Sequence, residues 1–353
     1  MKTALITTTI HKPEVLALYR VHDPDVMFFV AGDLKTPAEA ADFCNEMDNC
    51  IYISAHEQVC LNYKSDKLNG NNTDSKRNIA LLEAMKWKPD IIVSVDDDMP
   101  CINNPFAVWG ALFSRTVMEV NYHGHAVQKE ERAAWSGPKL GAKERWFDHG
   151  QYTISPARAR GLPYPDHYAQ FHSDFRYAMD VQIGMAQGII LGVPDTDACT
   201  AIANRPTITG AQELLRQGFV LDPKANAVMN SQFTAFRAEL APAFAQFYFA
   251  QQRNTDIFAS LLMRRIMREK NLYSYYGPPF GWHDRMPRPL LKDLQAERYG
   301  VDNIREYADY LNRAPLPSDA TVVEQCRILA QGWNGPELEA AMAFYDDCDE
   351  VLK

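Results

Sequence analysis

At 353 residues the chain is long enough for one large domain or two smaller ones, and with 46% hydrophobic and 23% charged residues it has the balance of an ordinary globular protein. Its net charge of −9 excludes general polyanion binding, which needs a basic footprint, though not a local basic groove. No apolar run is long enough to cross a bilayer, and seven scattered cysteines without a Cys-x-x-Cys pair point to reduced thiols and a cytoplasmic setting.

The opening Met-Lys-Thr-Ala-Leu-Ile-Thr-Thr-Thr has too short an apolar part for a signal peptide. It reads as a strand over residues 3–9 that brings Thr7, Thr8 and Thr9 to its carboxyl end. A second buried strand covers 26–31 and is followed by Gly32-Asp33. A carboxylate there suits a nucleoside, with Asp33 accepting from base or ribose; a plain turn is the alternative. Thr36-Pro37 opens a helix through about residue 47, residues 50–54 form a third strand, and the polar stretch 62–72 is a mobile loop. Asp74 or Thr73 caps a helix over 75–87 with Ile79, Leu81, Leu82 and Met85 on its apolar face. Lys76, Arg77 and Asn78 occupy its first turn, where cations oppose the helix dipole. An anion docked at the helix start would relieve this; a solvated basic turn is the alternative.

Residues 91–95, Ile-Ile-Val-Ser-Val, read as a buried strand of a parallel sheet, so the first hundred residues give β-α-β-β-α-β, a nucleotide-binding α/β half. The strand ends in Asp96, Asp97 and Asp98, and Pro100 stops further pairing. Adjacent anions repel unless a cation neutralises them. If the alternation of a strand continues, Asp96 and Asp98 point one way and seat a hard divalent ion, while Asp97 points the other. Ligands of open α/β sheets bind outside such strand ends. A solvated acidic turn is the alternative.

Residues 106–120 read as helical or mixed, and His123 and His125 as a surface loop rather than a metal pair. Residues 156–165 are extended, basic and punctuated by proline. An apolar run over 180–193 ends in Asp195 and Asp197, a second acidic strand end. Residues 226–237 contain a strand that lines the site. Asp256 is the cap of a helix over 257–270 or a functional carboxylate held at its start. Residues 273–280 are aromatic and rich in Gly and Pro, and His283 after them could complete a metal shell. Helices follow over 291–313 and 318–331, and a last one begins at Asn334, its cap. The expected organisation is a nucleotide-binding half over 1–105, a catalytic half over 106–290, and a helical extension over 291–353 that packs on the core or makes an oligomer contact.

Several separated motifs resemble the reversibly glycosylated polypeptides, the plant-type UDP-arabinopyranose mutases, and their STELLO-type relatives. Thr9-Ile10 is similar to the family's Pro-Thr-Ile, and Gly32-Asp33 to the end of its second strand. Residues 32–37 and Ser75-Lys76-Arg77-Asn78-Ile79 resemble the STELLO type. Asp96-Asp97-Asp98 is similar to the family's Asp triplet, and Val193-Pro194-Asp195-Thr196-Asp197-Ala198 to its Ile-Pro-Asp-Tyr-Asp-Ala. Arg160-Gly161-Leu162-Pro163 resembles the segment carrying a self-glycosylated arginine, with Leu162 in place of an aromatic residue. Asn254-Thr255-Asp256 falls at the family's Tyr-Asp-Asp, and Trp282-His283 at its Trp-His.

The resemblance implies an α/β fold of the GT-A, Rossmann-like type and a metal-dependent glycosyltransferase. Asp96, Asp98 and His283 would hold Mn²⁺ or Mg²⁺ on the diphosphate of a UDP-sugar. Thr8, Thr9 and Asp33 would contact the nucleoside, Arg77 and Asn78 the ribose or phosphate, and Asp97 the sugar. Asp256, then Asp195 and Asp197, are the candidates for general base, and Arg160 for self-glycosylation. The acceptor would be a glycan, a lipid-linked sugar or, given the basic stretch 139–160, a modified base in DNA. A mutase that interconverts pyranose and furanose forms, and a non-catalytic scaffold, are the alternatives.

Overall fold

The computed structural model describes residues 1–114, 117–120, 126–129, 135–141, 146–155, 157–163, 174–204, 206–247, 253–284 and 289–353. The first part of the chain runs β1 (Thr3–Thr8), α1 (Leu16–Arg20), β2 (Met27–Ala31), α2 (Ala38–Asn45), β3 (Cys50–Ile53), α3 (Ala55–Leu61), α4 (Asp66–Asn69), α5 (Arg77–Trp87) and β4 (Ile91–Val95). Their strands pair in parallel in the order β3-β2-β1-β4. Every residue of β4 is buried, which is why it reads as an unbroken apolar run. Three helices, α1, α3 and the short α4, were not expected. Helix α3 had a readable signature, since Ser54 and Glu57 form a reciprocal capping box at its start.

The next part contributes α6 (Pro105–Phe113), β5 (Val117–Val120), β6 (Ala126–Lys129), β7 (Trp135–Gly141), β8 (Asp174–Gly192), α7 (Ala198–Ala203), α8 (Glu213–Gln217), β9 (Phe219–Leu221), β10 (Phe233–Arg237), α9 (Thr255–Glu269) and β11 (Leu272–His283). One mixed sheet of eleven strands results, in the order β3-β2-β1-β4-β10-β8-β11-β9-β7-β5-β6. The protein is therefore mixed α/β with a Rossmann-like parallel unit at one end. Strand β10 is antiparallel to both β4 and β8, and β11 is parallel to β8. Two reversals restore the original sense, so β1, β4, β8 and β11 all present their carboxyl ends at one edge. The Asp triplet, Asp195 and His283 follow those ends.

Helices α10 (Leu290–Arg313), α11 (Val322–Trp333) and α12 (Leu338–Val351) close the chain. Asn334 is not the N-cap of the last helix. It has φ 54° and ends α11 in the left-handed conformation that asparagine tolerates, while α12 begins later after Glu337. One apolar cluster takes in Ile6 of β1, Leu82 of α5 and Phe344 of α12, so α5 is covered on both sides and buried almost throughout. Helix α12 also fixes the loop expected to be mobile. Asp347, buried, accepts from Lys64 N at 3.0 Å and from Ser65 N and Oγ at 2.9 and 2.7 Å. Asp347→Ala strands those donors and is expected to cost about 1–3 kcal/mol, read as a lower urea midpoint at unchanged slope. Among the described residues no helix is long and apolar enough to cross a membrane.

Candidate functional site

Beyond Val95 the chain leaves strand geometry in a turn, with Met99 N bonded to Asp96 O at 3.2 Å. The next residues are strapped along β11. Trp282 N donates to Pro100 O at 2.9 Å, Ile102 N to Phe280 O at 2.8 Å, and Phe280 N to Asn103 Oδ1 at 2.7 Å. Strand alternation therefore does not govern the triplet, and its three carboxylates take three different partners.

Asp96 accepts from Arg77 Nη2 at 2.5 Å. The same guanidinium donates to Ser94 Oγ at 3.1 Å and to Ser231 O at 2.9 Å. Burial works against its charge, but Asp96, with Asp74 and Asp256, more than compensates and its pKa is raised. Asp97 accepts from Thr9 Oγ1, and burial pushes its carboxyl up to about 6. Asp98, with its side chain 64% exposed, stands 3.3 Å from His283 Nε2. Burial opposes the imidazolium, and Asp98, joined by the charges of Asp195 and Asp96, outweighs it, so the His283 pKa is raised.

These residues line one cleft of about 470 Å³, which also takes in Thr8, Asp74, Arg160, Asp195, Arg253 and Asp256. That volume suits a nucleotide-sized ligand. Six aspartates face three arginines around it, so an anionic ligand meets net negative charge unless a cation accompanies it.

Of the three residues expected to hold a metal, two stand together. Asp98 and His283 come together and offer an oxygen and a nitrogen to a divalent ion. Asp96 does not join them, because Arg77 holds it. Among the described residues no group of three or more His, Cys, Asp or Glu is placed to hold an ion. Asp98 and His283 thus fit an ion whose remaining places are filled by ligand oxygens and water, as hard cations accept.

Beside the triplet lies a buried chain of ion pairs. Arg160 grips Asp256 with two bonds of 3.0 and 2.8 Å, and its Nε donates to Asp195 at 2.7 Å. Arg253 links the other oxygen of Asp195, at 2.5 Å, to Glu297 of α10, also at 2.5 Å. Burial works against the Arg160 charge, and Asp195, Asp256 and Glu297 together hold its pKa above the ordinary value. Burial raises the Asp256 carboxyl, with Arg160 opposing. Gly161 makes the approach possible: its φ is +88°, and a Cβ there would lie 2.5 Å from the Ile257 side chain.

Several expected roles are corrected. Asp256 is no free base, since Arg160, Ser231 N and Ile257 N all donate to its oxygens. Nor is it the N-cap, a position that Asn254 occupies. Asp197 does not line the cleft; it caps α7, accepting from Thr200 N at 2.9 Å. Asp33 lies outside the cleft lining and accepts from Leu34 N at 2.7 Å and Asn72 N at 2.5 Å, holding residue 72 beside the site. Asn78 exchanges two bonds with the backbone of Gln246, at 2.7 and 2.8 Å, and presents nothing to a ligand. Lys76 is not solvated either, being buried against Asp66 at 2.6 Å. In the basic stretch, Lys139 pairs with Asp222, Arg158 with Asp148, and Arg160 as above, which leaves no basic face among its described cations. His123 and His125 lie outside the described residues.

Arg253 and Glu297 are the functional neighbours the sequence reading missed. Glu297 had a faint signal, since Asp293 and Glu297 stand four apart on the buried face of an amphipathic helix. Burial pushes its carboxyl up to about 7, against the pull of Arg253. A folded-state pKa above the unfolded value means stability that is full below about pH 4.5 and lost as pH rises through about 7. Raising the pH from 5 to 8 is expected to remove at most about 3 kcal/mol through this group, and Glu297→Gln to flatten the slope in urea titrations across that window.

No family model matches the chain, and no curated protein matches it significantly.

Proposed function

We propose that the protein is a metal-dependent glycosyltransferase of the GT-A type that uses a UDP-sugar. The carrying observation is the convergence of Thr9, Asp96–Asp98, Arg77 and His283 in one acidic cleft at the carboxyl edge of the sheet. Asp98 and His283 would hold Mn²⁺ or Mg²⁺. The ion would neutralise the diphosphate as the glycosidic bond breaks, the main electrostatic need of such a reaction. Arg77 fixes Asp96 and adds a positive charge to that wall. Thr8 and Thr9 lie on the β1 side, where the nucleoside would sit. Asp97 lines the cleft and accepts from Thr9, whereas Asp256 is held by Arg160, so Asp97 is the better candidate to take the proton of an acceptor hydroxyl. The self-glycosylating mutase reading is weaker. Arg160 is charged and spent on Asp195 and Asp256, and a protonated guanidinium is no nucleophile.

The test is to incubate the protein with Mn²⁺ and a panel of UDP-sugars, without acceptor, and to follow nucleotides and intact mass. Slow, Mn²⁺-dependent UDP release with no isomer and no adduct is expected. A pyranose–furanose isomer, or a protein heavier by one sugar, would replace this reading with the mutase. No binding of any UDP-sugar would remove both.

A further inference from the structure

Behind the cleft lies a second, smaller cavity of about 60 Å³, and Arg160 and Asp195 line both. Its walls are largely aliphatic, built from Ile189, Ile190, Ile208, Leu215, Val228 and Ile257. Two aromatic rings also line it, His149 and Tyr276, stacked at 5.0 Å with their planes 27° apart. Nδ1 of His149 is buried and has no hydrogen-bond partner among the described residues. Burial lowers the pKa of this imidazole, which is therefore neutral near pH 7, with one N–H and one lone pair to offer.

A water needs roughly 10–15 Å³ on this measure, so the cavity holds roughly four to six heavy atoms, too few for a sugar ring. The charges around it are already matched. Arg158 pairs with Asp148 at 3.1 Å, and Arg160 with Asp195 and Asp256. A carboxylate would lose its hydration without gaining an unpaired cation. A hydroxymethyl group would leave aliphatic wall uncovered. A short, neutral group with a methyl and one carbonyl fits both the walls and the unpartnered nitrogen.

We propose that this cavity receives the acetamido group of a 2-acetamido sugar carried by the donor, with His149 recognising its carbonyl. The inference rests on the UDP-sugar reading of the cleft and narrows it to one donor class. The sugar would lie against the Arg160–Asp195 pair, with its substituent passing behind.

The test is calorimetric titration of the full chain, in Mn²⁺, with UDP, UDP-glucose, UDP-glucuronate, UDP-N-acetylglucosamine and UDP-N-acetylgalactosamine. At least one acetamido donor is expected to bind about tenfold or more tighter than UDP-glucose, the discrimination that one buried polar contact and one methyl supply. Val228→Phe, which fills the cavity, and His149→Phe, which keeps the ring stack without the nitrogen, should each bring that preference to within about twofold. UDP itself is the control for an intact cleft in each variant, and His149→Phe carries the test if Val228→Phe fails to fold. UDP binding without an acetamido preference, or a preference that survives His149→Phe, overturns the subsite and leaves the cleft reading standing. An unaltered protein that does not bind UDP overturns both.

Discussion

Asp98→Asn is expected to lower Mn²⁺-dependent turnover by about two to three orders of magnitude and to leave the thermal unfolding curve unchanged. Asparagine keeps the shape and loses the charge that would hold the ion. Asp98 itself is 64% exposed, and although its partner His283 is buried, the asparagine amide oxygen can still accept a hydrogen bond from Nε2. Asp96→Asn should behave differently, although it changes the neighbouring position in the same way. Asp96 neutralises Arg77, which is buried and also tied to Ser94 and Ser231. Removing that carboxylate leaves a buried cation uncompensated, and the protein should unfold earlier whether or not the ion is present. A Mn²⁺ titration of UDP release, run beside thermal unfolding for both variants, separates the two roles. Unchanged Mn²⁺ dependence in Asp98→Asn would remove Asp98 from the metal site.

The parallel unit was legible because its strands are covered on both faces, which leaves short β-branched runs such as Ile91–Val95. The acidic end of that run was legible as well, as three consecutive aspartates after Val95. The direction of each carboxylate was not. Alternation holds only while the chain stays extended, and the turn at Asp96–Met99 sends the triplet to Arg77, Thr9 and His283 separately. Residues four apart on α10, or three apart at a helix start, leave a local trace. The links Arg160–Asp195, Arg160–Asp256 and Arg253–Glu297 span 35, 96 and 44 residues and leave none. Asp197 and Asp33 illustrate the opposite error. Both were read as site carboxylates, yet their oxygens satisfy backbone N–H groups nearby in the chain or the fold, as short aspartate side chains readily do.

Arg160→Met is expected to destabilise the protein by about 3–5 kcal/mol, the cost of breaking a buried ion pair from one side. Methionine fills much of the volume, so the loss is mainly electrostatic: Asp195 and Asp256 would keep their burial without the shared cation. Arg253 still reaches Asp195 at 2.5 Å, so Asp256 bears most of the change. Lysine should recover only part of the loss. One ammonium cannot reproduce two parallel bonds to Asp256 and a third to Asp195. The pH dependence identifies the cause. In Arg160→Met the stranded Asp256 carboxyl, already raised by burial, is raised further above its unfolded value, so its penalty is present at neutral pH and fades as it protonates at lower pH. Urea titrations at pH 7.5 and pH 5, conditions bracketing roughly that range, should therefore show the gap to the parent protein narrowing at the lower value. An Arg160→Met protein with parental stability at both values would mean that the guanidinium is not structurally committed.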